Sequence, residues 1–464
     1  MRAAADFFHS SSRLVDVAHA PTGHADLAAM ETFAPPIAAA VAPPDPLADD
    51  AYLRLADLLE RNDLHTVVQP LVWLDGGDLA GADAFTRGPT GHDLEHPERL
   101  FAAAHTCGQA RQLDMHCVRS ALARAWALGF LDEDVALFVN VEPSTFDRSM
   151  VRDIAAMRDN LAPETRLFLE INERGIAANA PEILGACDEA RSLGLGIALD
   201  DTGADPTALA LLPFIAPDVV KLDSRLIRAH DRTVAAAIVG AVNAYAEDSG
   251  ALIVAERIED ESDLRWATAI GAHIGQGWYF ARPGVDISFD AAIEPVTRIA
   301  GPVKAPHTPF ALVARTFGIG VATKAELVAM SRNLERVATG WLAGSVTFAA
   351  TLEHRKHFTP ATAAFYGDHL VDAPLVAVFG VDMPSHPVGT GASTVRGVAL
   401  TADDPLAREW NVVVVGPHYA AALLARDLGD VDVPDGERRF EFVVTHRRDV
   451  VLSAARSLFA RLAV

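Results

Sequence analysis

Short apolar runs alternate with longer amphipathic segments between residues 65 and 283. Several runs are continuously hydrophobic, which is typical of parallel strands covered on both faces. The intervening segments, such as "PEILGACDEARSLG", place apolar residues at helical spacing. About eight strand-like units with helices between them predict an α/β fold, a TIM-like (β/α)8 barrel.

Eight apolar runs carry the predicted strands of the barrel. In chain order they are "HTVVQPLVWL", "DLAGADAFTR", "ALFVNVEP", "RLFLEINE", "LGIALDDTG", "PDVVKLD", "ALIVAERIE" and "GQGWYFARP". The first two are separated by "DGGD", a typical hairpin sequence. One strand of the barrel is therefore expected to run antiparallel to the others.

Proline-rich stretches divide the chain. Residues 1–48 include "FAPPIAAAVAPPDPLADD" and predict a disordered or loosely ordered arm. The barrel is assigned to 49–297, opening with an amphipathic helix at 49–63. Three prolines in "RIAGPVKAPHTPF" predict a linker at 298–307. Residues 308–464 form a separate predicted α/β domain.

The C-terminal domain combines both kinds of element. Its predicted strands are "SVTFAATLE", "PLVAVFG", "NVVVVGP" and "RRFEFVVTHR". Its predicted helices are "KAELVAMSRNLERVATG", "PHYAAALLARDL" and "RDVVLSAARSLFARL". Leu334, Val337 and Trp341 form one helical stripe, which is either the domain's own core or a contact within a homodimer.

Composition narrows the class of protein. The net charge of −23 argues against binding to nucleic acid or to an anionic membrane surface. The three cysteines, Cys107, Cys117 and Cys187, include no CxxC pair and fit a reducing compartment. No apolar run approaches the ~20 residues of a membrane span. We therefore expect a soluble, cytoplasmic protein.

Polar residues stand at the ends of the apolar runs. In a barrel of this kind the carboxyl ends of the strands meet at one rim, so these side chains are expected to converge. They are Asp83, Asn140, Glu170, Asp200, Asp201, Lys221, Glu256 and Gln276. So many carboxylates cannot ionise together without cations, and oxygen ligands favour Mg²⁺, Mn²⁺ or Ca²⁺. A carboxylate shared by two ions, as Asp200 is placed to be, predicts a two-metal site for attack of water on a phosphodiester.

Residues 55–285 resemble the EAL domain, a bacterial family of cyclic di-GMP phosphodiesterases. The resemblance rests on "VVQPLVWLDGGDLAGADAFTRG", "FVNVEP", "LEINE", "IALDDTG", "VVKLD", "AERIE" and "QGWYFARP", which match the family's blocks in order. It implies that Mg²⁺ or Mn²⁺ supports hydrolysis, with Ca²⁺ inhibitory or structural. The implied metal ligands are Asp83, Asn140, Glu170, Asp200, Asp201 and Glu256.

The same resemblance implies roles for other residues. Lys221 would orient or activate the attacking water, and with Asp200, Asp201 and Glu256 it forms the implied catalytic set. Glu173 would brace the loop after Asp201. The residues implied to hold the dinucleotide or its site are Gln69, Arg87, Asp223, Glu259 and Gln276.

The sequence departs from the family pattern at the site. The Glu-Ala-Leu motif that gives the family its name is replaced by Asp83, Ala84 and Phe85 in this chain. The family's glycine after the glutamate that corresponds to Glu256 is replaced by Arg257. In the loop after Asp201, Thr202, Ala204 and Asp205 replace Phe, Thr and Gly. In the family this loop couples dimerisation to metal loading, so these changes bear on catalysis.

The C-terminal domain resembles the DICT sensory domain. The matching stretches are "KAELVAMSRNLE", "FTPATAAFYGDHL", "VAVFG", "EWNVVVVGPHYAAALLARDL" and "FEFVVTHRRDVVLSAARSL". The resemblance implies that residues 308–464 sense a signal or carry a dimer contact, and so regulate the barrel.

Three functions remain open from the sequence. The chain is a cyclic di-GMP phosphodiesterase, slowed by its altered site; a cyclic di-GMP receptor that has lost turnover; or a nucleotide-independent scaffold that acts through a regulatory protein partner. We expect a homodimer in each case.

Overall fold

The computed structural model describes most of the chain from Pro46 onward. The described residues are 46–130, 135–162, 165–203, 208–223, 226, 232–285, 292–301, 308–340, 346–370, 373–388 and 395–462. The predicted arm lies outside them as far as residue 45, and its last three residues belong to the first helix, Pro46–Glu60. Residues Pro44–Val464 belong to one compact unit.

A closed barrel confirms the predicted fold of the first domain. Its strands are β1 His65–Trp73, β2 Leu79–Arg87, β3 Ala136–Val141, β4 Leu167–Asn172, β5 Gly196–Thr202, β6 Val219–Leu222, β7 Leu252–Ala255 and β8 Ile274–Gly275. β1 pairs antiparallel with both β2 and β8, as the hairpin sequence predicted. The neighbours from β2 to β8 are parallel.

The eighth strand is much shorter than predicted. Only Ile274 and Gly275 are strand, and the chain then turns at Gly277, whose φ is +155°. A Cβ at position 277 would lie 2.2 Å from the carbonyl oxygen of Ile258, so this close approach of two backbones excludes any larger residue. The strand prediction for 276–283 was therefore wrong.

Helices alternate with the barrel strands. They are α1 Pro46–Glu60, α2 Pro97–Thr106, α3 Ala110–Ala127, α4 Arg148–Leu161, α5 Ala180–Ser192, α6 Ala208–Ile215, α7 Arg232–Ser249 and α8 Glu261–Ala269. Two begin at an aspartate cap: Asp147 accepts a hydrogen bond from Met150 N, and Asp260 accepts from Ser262 N. No helix among the described residues is long and apolar enough to cross a membrane.

Apolar side chains fill the barrel below the polar rim. The rings of Phe138 and Phe168 stack with centroids 4.6 Å apart, and Leu71, Val254 and Ile274 pack in the same layer. These residues exclude water from one end of the barrel. The polar strand ends therefore stand on a dry, rigid base.

The C-terminal domain is a seven-stranded mixed sheet. Its order is β12-β11-β10-β13-β14-β15-β9, with β10, β11 and β12 parallel and the other pairs antiparallel. The strands are β9 Gly320–Thr323, β10 Thr347–His354, β11 Leu375–Val381, β12 Val395–Leu400, β13 Glu409–Val415, β14 Ala420–Asp427 and β15 Arg439–Thr445. The helices are α9 Pro309–Val313, α10 Lys324–Gly340, α11 Pro360–His369 and α12 Arg448–Phe459.

Both faces of the central strand β13 are buried. Val412 and Val414 lie in one apolar cluster with side chains of α10 and α11, whereas Val413 and Val415 lie in another with α12. Leu334 is 5% exposed within the first cluster. The stripe that begins at Leu334 therefore belongs at that point to the domain's own core, and Trp341 lies outside the described residues.

One predicted helix of the C-terminal domain is a strand. The segment "PHYAAALLARDL" contains β14, which pairs with β13 on one side and β15 on the other. Ala and Leu favour helix in isolation. Here Ala421 to Ala425 are fully buried from both faces of the sheet, so tertiary packing overrides the local preference.

Candidate active site

Charged side chains converge at the carboxyl ends of the barrel strands. Lys221 on β6 is fully buried, and its Nζ lies 2.7 Å from Asp83 Oδ2, in contact with Glu170, and 3.9 Å from Glu256 Oε1. Strands β2, β4 and β6 and the residue after β7 therefore bring one cation and three carboxylates together. The strand-end prediction placed all four residues at this rim.

Lys221 is held in its charged form. Burial alone would lower its pKa, but Asp83, Glu170 and Asp200 outweigh burial and raise the pKa well above the usual range. The ammonium group therefore donates hydrogen bonds and does not take up a proton at neutral pH.

Three carboxylates form a candidate metal centre beside Lys221. One oxygen each from Asp200, Asp201 and Glu256 lies within 4.8 Å of the others. Burial, and then the charge of Asp200, raise the pKa of Glu256 well above its ordinary value; burial also raises the pKa of Asp200. A divalent cation would relieve this crowding, and the all-oxygen donor set fits Mg²⁺, Mn²⁺ or Ca²⁺.

Unpartnered oxygens at the rim also fit a cation. Asp83 Oδ1 and Asp200 Oδ1 are buried and accept no hydrogen bond among the described residues. A buried carboxylate oxygen without a donor is costly, and a metal ion would satisfy it. The other predicted ligand, Asn140, donates from Nδ2 to Glu170 Oε2 over 3.2 Å.

Two glutamines hold Asp83 in place. Gln276 Nε2 donates to Asp83 Oδ2 over 3.0 Å and to Gln69 Oε1 over 3.2 Å. Gln69 in turn donates from Nε2 to the carbonyl of Ala281. The sequence predicted ligand contacts for both glutamines, whereas their observed partners are protein groups that fix the carboxylate.

The loop after Asp201 is braced from the preceding strand. Gly203 N donates to Glu173 Oε2 over 2.9 Å, the contact expected of the bracing residue. Asn172 at the end of β4 donates to Asp201 Oδ2 over 2.8 Å. The sequence analysis missed Asn172, although the strand-end rule applied to "LEINE" identifies it. Ala204 and Asp205 lie outside the described residues.

A cavity of about 500 Å³ opens beside the carboxylates. Arg87, for which a ligand contact is predicted, lines it. Its other lining residues include Phe85, Glu98, Phe101, Asn140, Glu142, Asn172, Arg174 and Asp201. Aromatic walls and two guanidinium groups suit a ligand with planar rings and phosphates. The sequence analysis missed Arg174, whose position just after Glu173 was the available signal.

Of the five predicted ligand residues, Arg87 lines this cavity, and the other four do not: Gln69, Gln276, Asp223 and Glu259. Asp223 is 2% exposed and its carbonyl accepts a hydrogen bond from Leu226 N. Glu259 is exposed and donates its backbone N–H to Asp263 Oδ2. Neither lines the cavity of Arg87.

Two non-glycine residues at the rim have left-handed backbone conformations. Asp201 has φ +53° and Arg257 has φ +51°. Each costs an L-residue roughly 1 kcal/mol or more, and such residues cluster at functional sites. The strained residues stand within the candidate metal centre and directly after it.

Replacing Arg257 with glycine is expected to stabilise the protein. Glycine adopts this φ freely, so Arg257→Gly should raise the free energy of unfolding by about 0.5–1 kcal/mol in urea denaturation. Arg257→Ala keeps the strained conformation and should bring no gain. Equal stabilities for both variants would contradict the interpretation of strain at Arg257.

A buried aspartate supports the wall of the cavity. Asp114 on α3 is fully buried, accepts a hydrogen bond from Thr145 Oγ1 over 2.5 Å and a longer one from Glu142 N. Burial raises the pKa of Asp114 to about 7. Its protonation state is therefore linked to the turn that carries Glu142.

This pKa shift predicts a pH-dependent stability. Because the folded state binds the Asp114 proton more tightly than the unfolded chain, the contribution of Asp114 to stability is complete below its unfolded pKa of 3.8 and is lost as pH rises toward about 7. Asp114→Asn removes the effect. The free energy of unfolding of Asp114→Asn minus that of wild type should therefore increase by about 2–3 kcal/mol when the pH is raised from 5 to 8. Urea denaturation in EDTA measures this difference, and Asp153→Asn, at an exposed position, is the control. If the stabilities of wild type and Asp114→Asn change in parallel with pH, the prediction is refuted.

Comparison with known proteins agrees with the sequence blocks. The model of the EAL domain matches residues 53–283, and the model described as "Sensory domain in DIguanylate Cyclases and Two-component system" (DICT) matches residues 312–428. Both predicted resemblances are therefore confirmed.

Individual relatives match the barrel part of the chain. "Cyclic di-GMP phosphodiesterase RocR" of Pseudomonas aeruginosa is 28% identical over 229 residues, which cover 48% of this chain and 58% of the relative. "Bifunctional diguanylate cyclase/cyclic di-GMP phosphodiesterase MucR" of the same species is 29% identical over 238 residues, covering 49% of this chain and 34% of the relative. The matches thus span little more than half of one relative and a third of the other.

A solved structure overlaps the same region. "PaMucR Phosphodiesterase, c-di-GMP complex" is 27% identical, covers 51% of this chain and 97% of that chain, and has a TM-score of 0.45. The chain carries an EAL domain over residues 53–283 and a DICT sensory domain over residues 312–428.

Proposed function

We propose that the barrel binds cyclic di-GMP and hydrolyses one of its phosphodiester bonds to give the linear dinucleotide. The observation that carries the proposal is the cluster of Asp200, Asp201 and Glu256 beside Lys221. Asp201 of this cluster lines the same cavity as Arg87. The names of the relatives RocR and MucR support the choice of substrate.

Divalent cations are part of this proposal. Mg²⁺ or Mn²⁺ would be held by Asp200, Asp201 and Glu256, with Asp83, Asn140 and Glu170 as further ligands. When bound, such ions polarise a phosphate and lower the pKa of water. Ca²⁺ would occupy the same oxygens and act as an inhibitory or structural ion.

The protein residues position the reaction. The oxygen of water bonds to phosphorus, the bond from phosphorus to the ribose 3′ oxygen breaks, and a proton passes to that oxygen. Lys221 stays protonated, so its part is to hold Asp83 and Glu170 and to orient water. Arg87 and Arg174 would neutralise the phosphates. Asp223 and Glu259 remain predicted contacts to the dinucleotide.

A receptor without turnover is the second candidate. The left-handed Arg257 and Asp201, and the engagement of Asp83 by Lys221 and Gln276, favour it because catalysis needs ligands placed within about 1 Å. Calorimetric titration with cyclic di-GMP and Ca²⁺, followed by a turnover assay with Mg²⁺ or Mn²⁺, separates the functions. Hydrolysis would support the enzyme, and binding without hydrolysis would support the receptor. Absence of both binding and hydrolysis would support the scaffold.

Regulation and assembly belong to the same proposal. The DICT domain would regulate the barrel in response to a signal, in a homodimer. Light scattering on the full chain tests the dimer, and a monomer at micromolar concentration would exclude it.

Arg87→Ala is expected to weaken cyclic di-GMP binding. Loss of a charge-assisted contact to phosphate costs roughly 1.5–3 kcal/mol, so the Kd should rise about tenfold or more in calorimetric titration. Arg99→Ala is the control, because Arg99 is exposed on α2 and outside the cavity lining. An unchanged Kd for Arg87→Ala would place the ligand elsewhere.

A further inference from the structure

A second, smaller cleft lies where the C-terminal helix meets the barrel. We call it the interdomain cleft; it is lined by Arg148, Asp188, Arg191, Phe214, Arg456 and Phe459, with Leu184, Gly185, Ala216 and Ala460. Its volume is about 40 Å³, room for roughly three waters or one tetrahedral oxyanion. The rings of Phe214 and Phe459 close one side, edge to face with centroids 5.0 Å apart.

Positive charge is concentrated in this cleft although the chain as a whole carries −23. Arg148 comes from α4, Arg191 from α5 and Arg456 from α12, and Asp188 is the one carboxylate that lines the cleft. All three guanidinium groups interact with Asp188, so they share one small space. Three cations and one carboxylate therefore line the cleft, while Asp218 acts on Arg191 and Asp248 acts on Arg456 from outside the lining. The lining itself carries an excess of positive charge, which is unfavourable where burial limits solvation.

The guanidinium groups are held in fixed orientations. Arg191 Nη2 donates to the carbonyls of Ile215 and Ala216, and Arg456 Nη2 donates to the carbonyl of Pro213 over 2.6 Å. Arg148 Nε donates to the carbonyl of Gly185 over 3.3 Å. These bonds preorganise three donors around the cleft before any ligand enters.

One buried donor is left without a partner. The side chain of Arg191 is 1% exposed, and its Nε–H donates no hydrogen bond to any of the described residues. Native proteins seldom leave a buried N–H unpaired. The binding of an anion is therefore favoured by three features of the cleft: the excess positive charge of its lining, its preorganised guanidinium groups and this unpaired donor.

We propose that the interdomain cleft binds one phosphate-type oxyanion between Arg148, Arg191 and Arg456. The anion would connect α12 of the C-terminal domain with α4 and α5 of the barrel. Arg191 and Arg456 also hold carbonyls at the end of α6, the helix that follows Asp200 and Asp201 along the chain. Occupancy would therefore stiffen the junction between the sensory domain and the segment that follows the metal centre. The inference does not depend on hydrolysis of cyclic di-GMP.

Inorganic phosphate is the probe, titrated calorimetrically into the full chain in EDTA at constant ionic strength. Wild type should bind about one phosphate per chain, and chloride should not compete at equal concentration. Arg456→Gln and Arg148→Gln should each raise the Kd about tenfold or more, because each loses a charge-assisted contact. Arg152→Gln is the matched control: Arg152 also lies on α4, but it is exposed and pairs with Glu189. It should leave the Kd within about twofold.

Thermal unfolding provides an independent readout. Phosphate should raise the Tm of wild type and of Arg152→Gln in a concentration-dependent way, and less so for the other two variants. If Arg456→Gln fails to fold, Arg148→Gln carries the test. A second titration uses 5′-GMP, to distinguish free phosphate from the phosphoryl group of a larger molecule. If 5′-GMP binds more tightly than phosphate and its binding depends on the same arginines, the natural ligand is a larger phosphorylated molecule. Absence of saturable binding, or equal Kd values in all variants, would overturn the proposal.

Discussion

Glu256→Gln is expected to weaken Mn²⁺ binding about 100-fold or more while making the metal-free protein more stable. Glu256 lies within the carboxylate cluster of Asp200 and Asp201, and its pKa is raised by burial and by Asp200. The amide keeps the shape but removes a charge that the metal-free site disfavours. A cation loses one anionic ligand, and its Kd should rise about 100-fold or more.

The gain in stability has a defined pH dependence. Because burial raises the pKa of Glu256 in the folded state, this residue makes its full contribution to the free energy of unfolding only at low pH. The contribution is lost as the pH rises above 4.5, the pKa of the residue in the unfolded chain. The advantage of Glu256→Gln in EDTA should therefore be near zero at pH 4.5 and reach about 1 kcal/mol or more at pH 7. Urea denaturation at the two pH values measures it.

Glu261→Gln is the matched control for Glu256→Gln. Glu261 is exposed in the first turn of α8, five positions after Glu256 along the chain, and pairs with Arg265 on the surface. It should change neither Mn²⁺ binding nor stability by a measurable amount. An unchanged Kd for Mn²⁺ in Glu256→Gln would place the metal outside this cluster.

Lys221→Met should have the largest effect on the fold of any single change at the rim. It leaves Asp83 and Glu170 buried without their cation. Removing one partner of a buried ion pair typically costs 3–5 kcal/mol, so we expect a loss of about that size in urea denaturation. Any hydrolysis of cyclic di-GMP should fall about 100-fold or more.

A double substitution separates charge from packing. Lys221→Met with Asp83→Asn removes one of the stranded carboxylates and should recover roughly 1–3 kcal/mol of the loss. If the double variant is no more stable than Lys221→Met, the loss comes from packing and not from unpaired charge.

Lys324→Met controls for a general loss of stability. Lys324 is also buried and paired, to Glu353 Oε2 over 2.9 Å, but it lies in the C-terminal domain. The Lys324→Met variant should lose a comparable amount of unfolding free energy, and its turnover per folded molecule should stay unchanged. A similar loss of turnover in both lysine variants would remove Lys221 from the catalytic set.

The local pattern of the sequence determined the barrel and its rim. Continuous apolar runs alternating with helical segments predicted strands covered on both faces, and "DGGD" predicted the antiparallel β1. The polar residues at the run ends then predicted where Asp200, Asp201 and Glu256 meet, because parallel strands present their carboxyl ends at one rim.

Where local signals were ambiguous, the sequence predictions failed. The alanines and leucines of β14 suit a helix as well as a buried strand, and only pairing with β13 and β15 decides between the two. At 276–283, the backbone contact between Gly277 and Ile258 ends the strand that composition favoured.

The sequence by itself determined the fold class, the order of the domains and the set of strand-end carboxylates, since these follow from periodicities of a few residues. Only the tertiary structure decided which groups neutralise one another. Lys221 meets Asp83 from 138 residues away, and Arg456 reaches Pro213 across 243 residues. Such contacts depend on where distant helices and strands pack, and electrostatic energies change steeply with those distances and with burial. No local pattern in the chain encodes them.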